Sequence, residues 1–268
     1  IDCEILQANP FVVHLLVAES YAKGRTFLAG DAAHQYIPTG GYGMNTGVGD
    51  ALDLGWKLAA VYEGWAGPRL LESYENERRP VGLRNREGSR RHADLKQKIA
   101  AVWDTALVES STPAGEQARA ILGERLREFG NLENASLGIE MGYRYDGSPI
   151  ICGDDGTPPA LELANYRPTT WPGSRPPSIF LGDGRALFDL FGPGFTLLDF
   201  TGADTSGIMA AAQRRGLPLT VRRIDDANAR RLYERDLVLI RPDQHVAWRG
   251  NRQPESPDAV MDRVRGAA

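Results

Sequence analysis

From Gly24 to Leu58 the chain reads GRTFLAGDAAHQYIPTGGYGMNTGVGDALDLGWKL, and no other stretch constrains the fold as much. A short apolar run, Thr26–Ala29, follows a Lys23-Gly24 turn and ends at Gly30-Asp31, the pattern of a buried strand that leaves its sheet at an acid. Glycines then crowd the chain at Gly40, Gly41, Gly43, Gly47 and Gly49, more densely than a tight turn requires. From Asn45 onward Val48, Ala51, Leu52, Leu58, Ala59 and Tyr62 recur at helical spacing. Gly64 and Gly67-Pro68 stop the run, which predicts a helix of about five turns.

An acid at a strand end, a glycine-rich loop and a helix start together make a ligand site. Backbone N–H groups attract anionic groups there, and a short carboxylate accepts hydrogen bonds from ligand hydroxyls. Asp31 taken alone serves equally as a turn cap. His34, in the same loop, suits either proton transfer or the simpler task of fixing the loop. The loop is not a GxGxxG, because Thr46 stands where the third glycine belongs, and GxxxxGK[ST] is absent.

The 268 residues, 42% hydrophobic and 25% charged, suit one large or two small globular domains. A net charge of −4 argues against a nucleic acid or an anionic membrane as partner. No run of about 18 apolar residues offers an ordinary transmembrane helix. Cys3 and Cys152 have neither metal-ligand nor CxxC spacing, so no metal site is expected and a reducing, cytoplasmic compartment fits. Arg78, Arg79, Arg84, Arg86, Arg90, Arg91, Lys96 and Lys98 are interleaved with Glu75, Glu77, Glu87 and Asp94, the pattern of a solvated helix face. The start, IDCEILQANPFVVHLLVAESY, lacks a signal peptide's features and reads as strands at Cys3–Leu6 and Phe11–Val17. A chain that opens inside a sheet implies that the natural protein begins earlier. It also exposes apolar surface and strand edges, which favours a homo-oligomer.

Pro68–Asp104 reads as helix with a break near Pro80. Glu109–Gly130 reads as a further helix with Ala118, Ile121, Leu122, Leu126 and Phe129 on one face, and Leu137–Ile151 as strand or extended chain. A proline-rich passage from Pro158 to Pro177 marks the boundary between residues 1–170 and 171–268. Beyond it come a strand at Phe195–Phe200, a helix at Ser206–Arg215, a strand at Leu217–Ile224 and a helix at Ala227–Glu234. A hairpin of Leu237–Ile240 with His245–Trp248 and a closing helix at Pro257–Val264 complete a small α/β domain.

GRTFLAGDAAH, PTGGYGMNTG, DLGWKL and SYENERRPV follow one another between Val17 and Val81. In order and spacing they resemble the second flavin motif of the single-component FAD-dependent aromatic hydroxylases, the para-hydroxybenzoate and phenol hydroxylase type of flavoprotein monooxygenase. GYRYDGSPI, LFGPGFTLLDF and LIRPDQHVAWRG are similar to later segments of the phenol hydroxylase-like members. The resemblance implies an α/β (α+β) fold, with part of an FAD/substrate domain carrying long helices over 1–170 and a thioredoxin-like domain over 171–268. It implies FAD as cofactor, NADPH or NADH as co-substrate, and O2-dependent hydroxylation of a small phenolic or other aromatic substrate. In its terms Gly30 and Asp31 form the GD pair, with Asp31 on the ribityl chain, and Pro38 lies beside the isoalloxazine ring. Gly41 joins the cofactor-binding loop, and Gly43, Met44 and Asn45 meet the pyrimidine edge at a helix N-terminus, where the negative charge of reduced flavin is stabilised.

Three departures stand out. The ADP-binding GxGxxG and the family's middle motif are absent, Ile37 stands where many members have a second proline, and residues 171–268 contain no cysteine for a dithiol role. The catalytic residues and the particular substrate therefore stay unassigned, and this chain alone is expected to bind FAD weakly or not at all and to be inactive. The alternatives are a non-enzymatic module derived from such an enzyme, serving oligomerisation or partner binding, and a non-hydroxylating flavin oxidoreductase of the same fold.

Overall fold

Backbone pairing is sparse at the start of the chain. The structure, a computed structural model, describes residues 3–130, 132 and 134–268. Strand β1 (Leu16–Val17) pairs antiparallel with β4 (His34–Gln35), and β2 (Ala22–Lys23) with β3 (Thr26–Phe27). Residues 3–15 have no regular structure, so the strand expected at Cys3–Leu6 and most of that at Phe11–Val17 are not formed. No described strand lies beside them, and without a ladder an extended segment leaves its N–H and C=O groups to water. Thr26–Ala29 is likewise not a buried strand. Only Thr26 and Phe27 pair, Thr26 is exposed, and the rest is half-buried behind a turn at Gly24, whose φ is 61°.

Helix α1 (Tyr42–Glu63) buries the side opposite to its apolar repeat. Val48, Ala51, Leu52, Leu58, Ala59 and Tyr62 are all exposed, Tyr62 at 92%. The buried stripe runs through Thr46, Asp50, Asp53, Lys57 and Ala60, successive turns of one face. The cause is the partner helix, α2 (Ser73–Ala100), which brings Glu77 to Lys57, Arg78 to Asp50 and Asn85 to Thr46.

Helix α2 runs unbroken through Pro80, against expectation. Pro80 and Asn76 both lie at the surface, where water satisfies the Asn76 carbonyl that loses its donor. The basic run on α2 is only partly a solvated face: Arg90, Lys96 and Lys98 are exposed, whereas Arg78 and Glu77 are fully buried because each meets opposite charge from another element.

The helix expected over 109–130 forms as α4 (Pro113–Phe129), preceded by a separate short α3 (Thr105–Glu109). Thr112 caps α4 by accepting the Gly115 N–H, and Pro113 takes the first helical position. Of its apolar face, Ala118 and Leu122 are buried but Ile121 and Leu126 are exposed. Leu137–Ile151 opens with the short α5 (Leu137–Met141) rather than with extended chain, and beyond it Arg144 bridges to Ser174.

The last third follows the sequence pattern closely: β5 (Phe195–Asp199), α6 (Ser206–Arg214), β6 (Leu219–Arg223), α7 (Ala227–Tyr233), β7 (Leu237–Ile240), β8 (Val246–Gly250) and α8 (Pro257–Val264). The sheet order is β6-β5-β7-β8, with β5–β6 parallel and the other pairs antiparallel. Alternate residues of β5 and β7 point to opposite faces. Phe195, Leu197, Leu237 and Leu239 meet α6 and α8, while Leu198, Val238 and Ile240 meet Ala229 and Tyr233 of α7.

One core joins both halves of the chain. Trp56 stacks on Trp65 at 6.2 Å, and the edge of Phe195 meets both rings. Beside them lies a buried ion cluster. Lys57 Nζ donates to Asp53 at 2.7 Å and to Glu77 at 2.6 Å. Arg241, in the turn between β7 and β8, donates to Glu77 at 2.6 Å, to Asp53 at 3.0 Å and to Asp243 at 2.6 Å. Arg241→Met strands these carboxylates, and the unfolding free energy is expected to fall by about 3–5 kcal/mol. Arg90→Ala, at a solvent-exposed pair, is expected to leave stability nearly unchanged. Urea denaturation of the two variants checks this, and equal losses would contradict the cluster's role.

Candidate functional site

The glycine-rich loop and the start of α1 wall a cavity of about 600 Å³. Asp31, Pro38, Gly41, Gly43, Met44 and Asn45 all line it, with Gln35, Tyr36, Ile37 and the segment Phe11–His14 completing the wall. Gly30 does not line it. That residue lies behind, so close to α1 that a Cβ placed on Gly47 would stand 3.1 Å from its Cα.

Local conformation explains the arrangement. Gly30, at φ 58°, opens a single 3-10 turn, Gly30–Ala32, which leaves the Asp31 side chain exposed at the cavity. Gly40 and Gly41, at φ 80° and 69°, occupy the left-handed region as a second such turn feeds into α1. Gly43 is different, because its φ is ordinary and a Cβ there meets nothing within 4 Å. The fold itself does not demand glycine at 43, and the missing side chain leaves open space over the helix start. Helix α1 also begins without a side-chain cap, because its N-cap residue is Gly41, and Asn45 donates Nδ2–H back to the Gly41 carbonyl at 2.8 Å. The first-turn N–H groups therefore remain donors for a ligand.

Beneath the loop Asp50 is the hub. Its Oδ2 accepts the Gly30 N–H at 3.1 Å and His34 Nε2–H at 2.8 Å, and its Oδ1 accepts Arg78 Nε at 2.8 Å. Burial opposes ionisation of Asp50, but His34 and Arg78 outweigh it and hold the carboxyl below its ordinary range. Arg78 further donates to the Thr46 carbonyl and to Tyr145 Oη, each at 3.1 Å. His34 is buried, stacks on Tyr36 at 4.8 Å and is absent from the cavity wall, so it fixes the loop. Tyr36 donates its hydroxyl to the Gly82 carbonyl, and burial pushes the phenol's pKa up.

Asp50 and Arg78 escape a reading of the sequence that follows apolar residues. The available signal is the polar repeat Thr46, Asp50, Asp53, Lys57 at helical spacing, on the side away from the apolar one.

Among the described residues Asp53, Glu77 and Asp243 alone have metal-ligand spacing. Lys57 and Arg241 already supply the positive charge between them. Three carboxyl groups face these two cations, and burial pushes Asp53 up to about 8. Burial also opposes ionisation of Glu77, but Arg241 and Lys57 outweigh it and hold the group at about 2. Cys3 and Cys152 are free. A second cavity of about 560 Å³ lies on the C-terminal sheet, where Asp183, Arg185, Arg222, Arg223, Asp225 and Asp226 mix both signs of charge and the start of α7 is already capped by Asp226.

Residues 1–89 match the FAD binding domain family, and residues 169–268 match the aromatic-ring hydroxylase C-terminal family. The FAD-dependent monooxygenase apdD of Emericella nidulans is 39% identical over 98% of this chain and 44% of its own length. The phenol 2-monooxygenase of a Pseudomonas species is 30% identical over 99% of this chain and 49% of its own. The structure of the rebeccamycin biosynthetic enzyme RebC with reduced flavin superposes with a TM-score of 0.83 at 41% identity, covering 94% of this chain and 47% of RebC. This chain belongs to the FAD-dependent aromatic-ring hydroxylases. It spans about half the length of the curated relatives it matches. No helix among the described residues is long and apolar enough to cross a membrane.

The upward shift of Asp53 has a measurable consequence. Its folded value of about 8 lies above the ordinary 3.8, so the stability this group contributes is complete below the ordinary value and is lost as pH rises towards 8. Glu77 is depressed from 4.5 to about 2, so its contribution is present above 4.5 and lost as pH falls through that window. Asp53→Asn is expected to flatten the decline in urea midpoint between the ordinary carboxyl range and mildly alkaline pH. An unchanged slope would contradict the upward shift.

Proposed function

We propose that this chain forms the flavin-facing part of an NAD(P)H-dependent monooxygenase that hydroxylates a phenolic or other small aromatic ring with O2, in the cytoplasm. The observation that carries the reading is the placement of an exposed carboxylate, Asp31, and the uncapped start of α1 on walls of one cavity. The names of the relatives, which include a phenol 2-monooxygenase, support the substrate class.

FAD, when bound, supplies the redox chemistry by which one atom of O2 reaches the ring. The chain's own residues bind and orient it. Asp31 accepts hydrogen bonds from ribityl hydroxyls, Pro38 lies beside the ring system, and Gly41 lets the backbone approach. Gly43, Met44 and Asn45 direct N–H donors at the pyrimidine edge, where a helix N-terminus favours negative charge. Ile37, Met44 and Tyr36 give that wall its apolar surface and exclude water. The four-stranded C-terminal unit supports a thioredoxin-like reading with a structural role, since residues 171–268 contain no cysteine.

The cofactor assignment is tested by fluorescence titration of the chain with riboflavin and FAD. No GxGxxG is present to hold the adenosine end, so the two are expected to bind weakly and with similar affinity. Asp31→Asn is expected to weaken both by about tenfold, the value of roughly 1.4 kcal/mol for a charged hydrogen bond. Tight stoichiometric FAD would contradict the expected weakness, and an affinity unaltered in the variant would contradict the assignment.

Self-association belongs to the same reading. Val48, Leu52, Val61 and Tyr62 leave an apolar stripe of α1 exposed, and such a stripe favours contact between copies. Sedimentation is expected to show concentration-dependent association, and a monodisperse monomer throughout would contradict it.

A further inference from the structure

Asp31 acts on a ligand only if the short turn that carries it is held still. The turn has few means of its own, because Gly30 is left-handed and the single local bond is Ala33 N–H to the Gly30 carbonyl at 2.8 Å. Strand β1 holds the far end, where Val17 pairs with His34 and Ala18 N–H donates to the Ala33 carbonyl at 2.8 Å, and the Gly30 end is held by one atom of α1. Asp50 Oδ2 accepts from Gly30 N–H on one side of Asp31 and from His34 Nε2–H on the other. A single buried oxygen therefore brackets the segment 30–34.

The rest of the assembly serves that grip. Arg78 Nε occupies Oδ1 and fixes the rotation of the carboxylate. The guanidinium reaches this position because Gly49 has no side chain, since a Cβ there would stand 2.6 Å from Arg78 Nη2. The close approach of Gly30 and Gly47 brings the Gly30 N–H within reach of Asp50, one turn further along α1. Arg78 also balances the charge of Asp50, so the field in the cavity is left to Asp31 and the helix start.

We infer that Asp50 is a positioning residue for the cofactor turn, gripping Gly30 and His34 through one oxygen and thereby setting where Asp31 points, with Arg78 as the residue that orients it. The inference rests on reading the cavity as the flavin site. A carboxylate is suited to the task because it accepts all three donors at once. Asparagine retains one acceptor oxygen but turns an NH2 group towards Arg78 or towards the two turn donors.

Amide hydrogen exchange and flavin titration on the full 268-residue chain test the inference together. Asp50→Asn is expected to speed exchange at Gly30 by about tenfold or more, to leave β5, β7 and β8 protected as before, and to weaken riboflavin binding by about tenfold. Asp50→Ala is expected to exceed it in both readouts. Tyr145→Phe, which removes an Arg78 contact remote from the turn, is expected to change neither by more than about twofold. Asp31→Asn separates binding from positioning: it should weaken riboflavin while leaving exchange at Gly30 unaltered. Unchanged Gly30 exchange in Asp50→Asn would overturn the inference, as would acceleration spread evenly over the C-terminal sheet, which marks a general structural role. If the unsubstituted chain binds no flavin, the cofactor reading falls, and the exchange measurements still decide whether Asp50 holds the turn.

Discussion

Charge pairing on the buried side of α1 is the interaction on which the rest of the structure depends. A helix whose inward stripe reads Thr46, Asp50, Asp53, Lys57 carries several unpaired charges into the interior unless each finds a partner there. Each does so from a different part of the chain. Arg78 and Glu77 come from α2, and Arg241 comes from the β7–β8 turn, 188 residues beyond Asp53. The desolvation cost of such a cluster is large, and it is offset only in the assembled geometry. The cluster therefore specifies one docking of the helix pair against the C-terminal sheet more sharply than the Trp56, Trp65 and Phe195 rings beside it, which would tolerate small shifts.

The same polar stripe connects the core to the cavity. Asp53 meets Arg241 of the C-terminal unit, with Lys57 joining it to Glu77, and one turn earlier Asp50 meets the loop that carries Asp31. The glycines divide into two groups. Gly47 and Gly49 permit close packing inside the protein, against Gly30 and Arg78 respectively, whereas Gly43 meets nothing and opens space to a ligand. Only the second kind speaks for a cofactor.

Much of the C-terminal half was legible in the sequence because its signals are local. Short, nearly continuous apolar runs mark β5 and β7, while Asp226 and Ser256 cap α7 and α8 through the Ala229 and Ala259 N–H groups. The cavity residues were legible for another reason: Asp31 and the loop from Pro38 to Asn45 stand in an order that few folds share. Other features had no local signal. The apolar repeat of α1 located the helix but indicated the wrong side, because the partners that bury its polar side are distant in sequence. Arg78 looked like one more surface arginine among eight basic residues for the same reason. Pro80 did not break α2, since a proline on the solvent side costs the helix one bond that water replaces.

The most direct measurement is the map of amide chemical-shift changes when riboflavin is titrated into isotopically labelled protein. The account predicts changes centred on Asp31 and on Gly41 to Asn45, extending to Gly30 and to the Tyr36–Pro38 segment, with the C-terminal sheet unaffected. Changes centred instead on the cavity between Asp183 and Asp226, or spread over the exposed apolar side of α1, would contradict it.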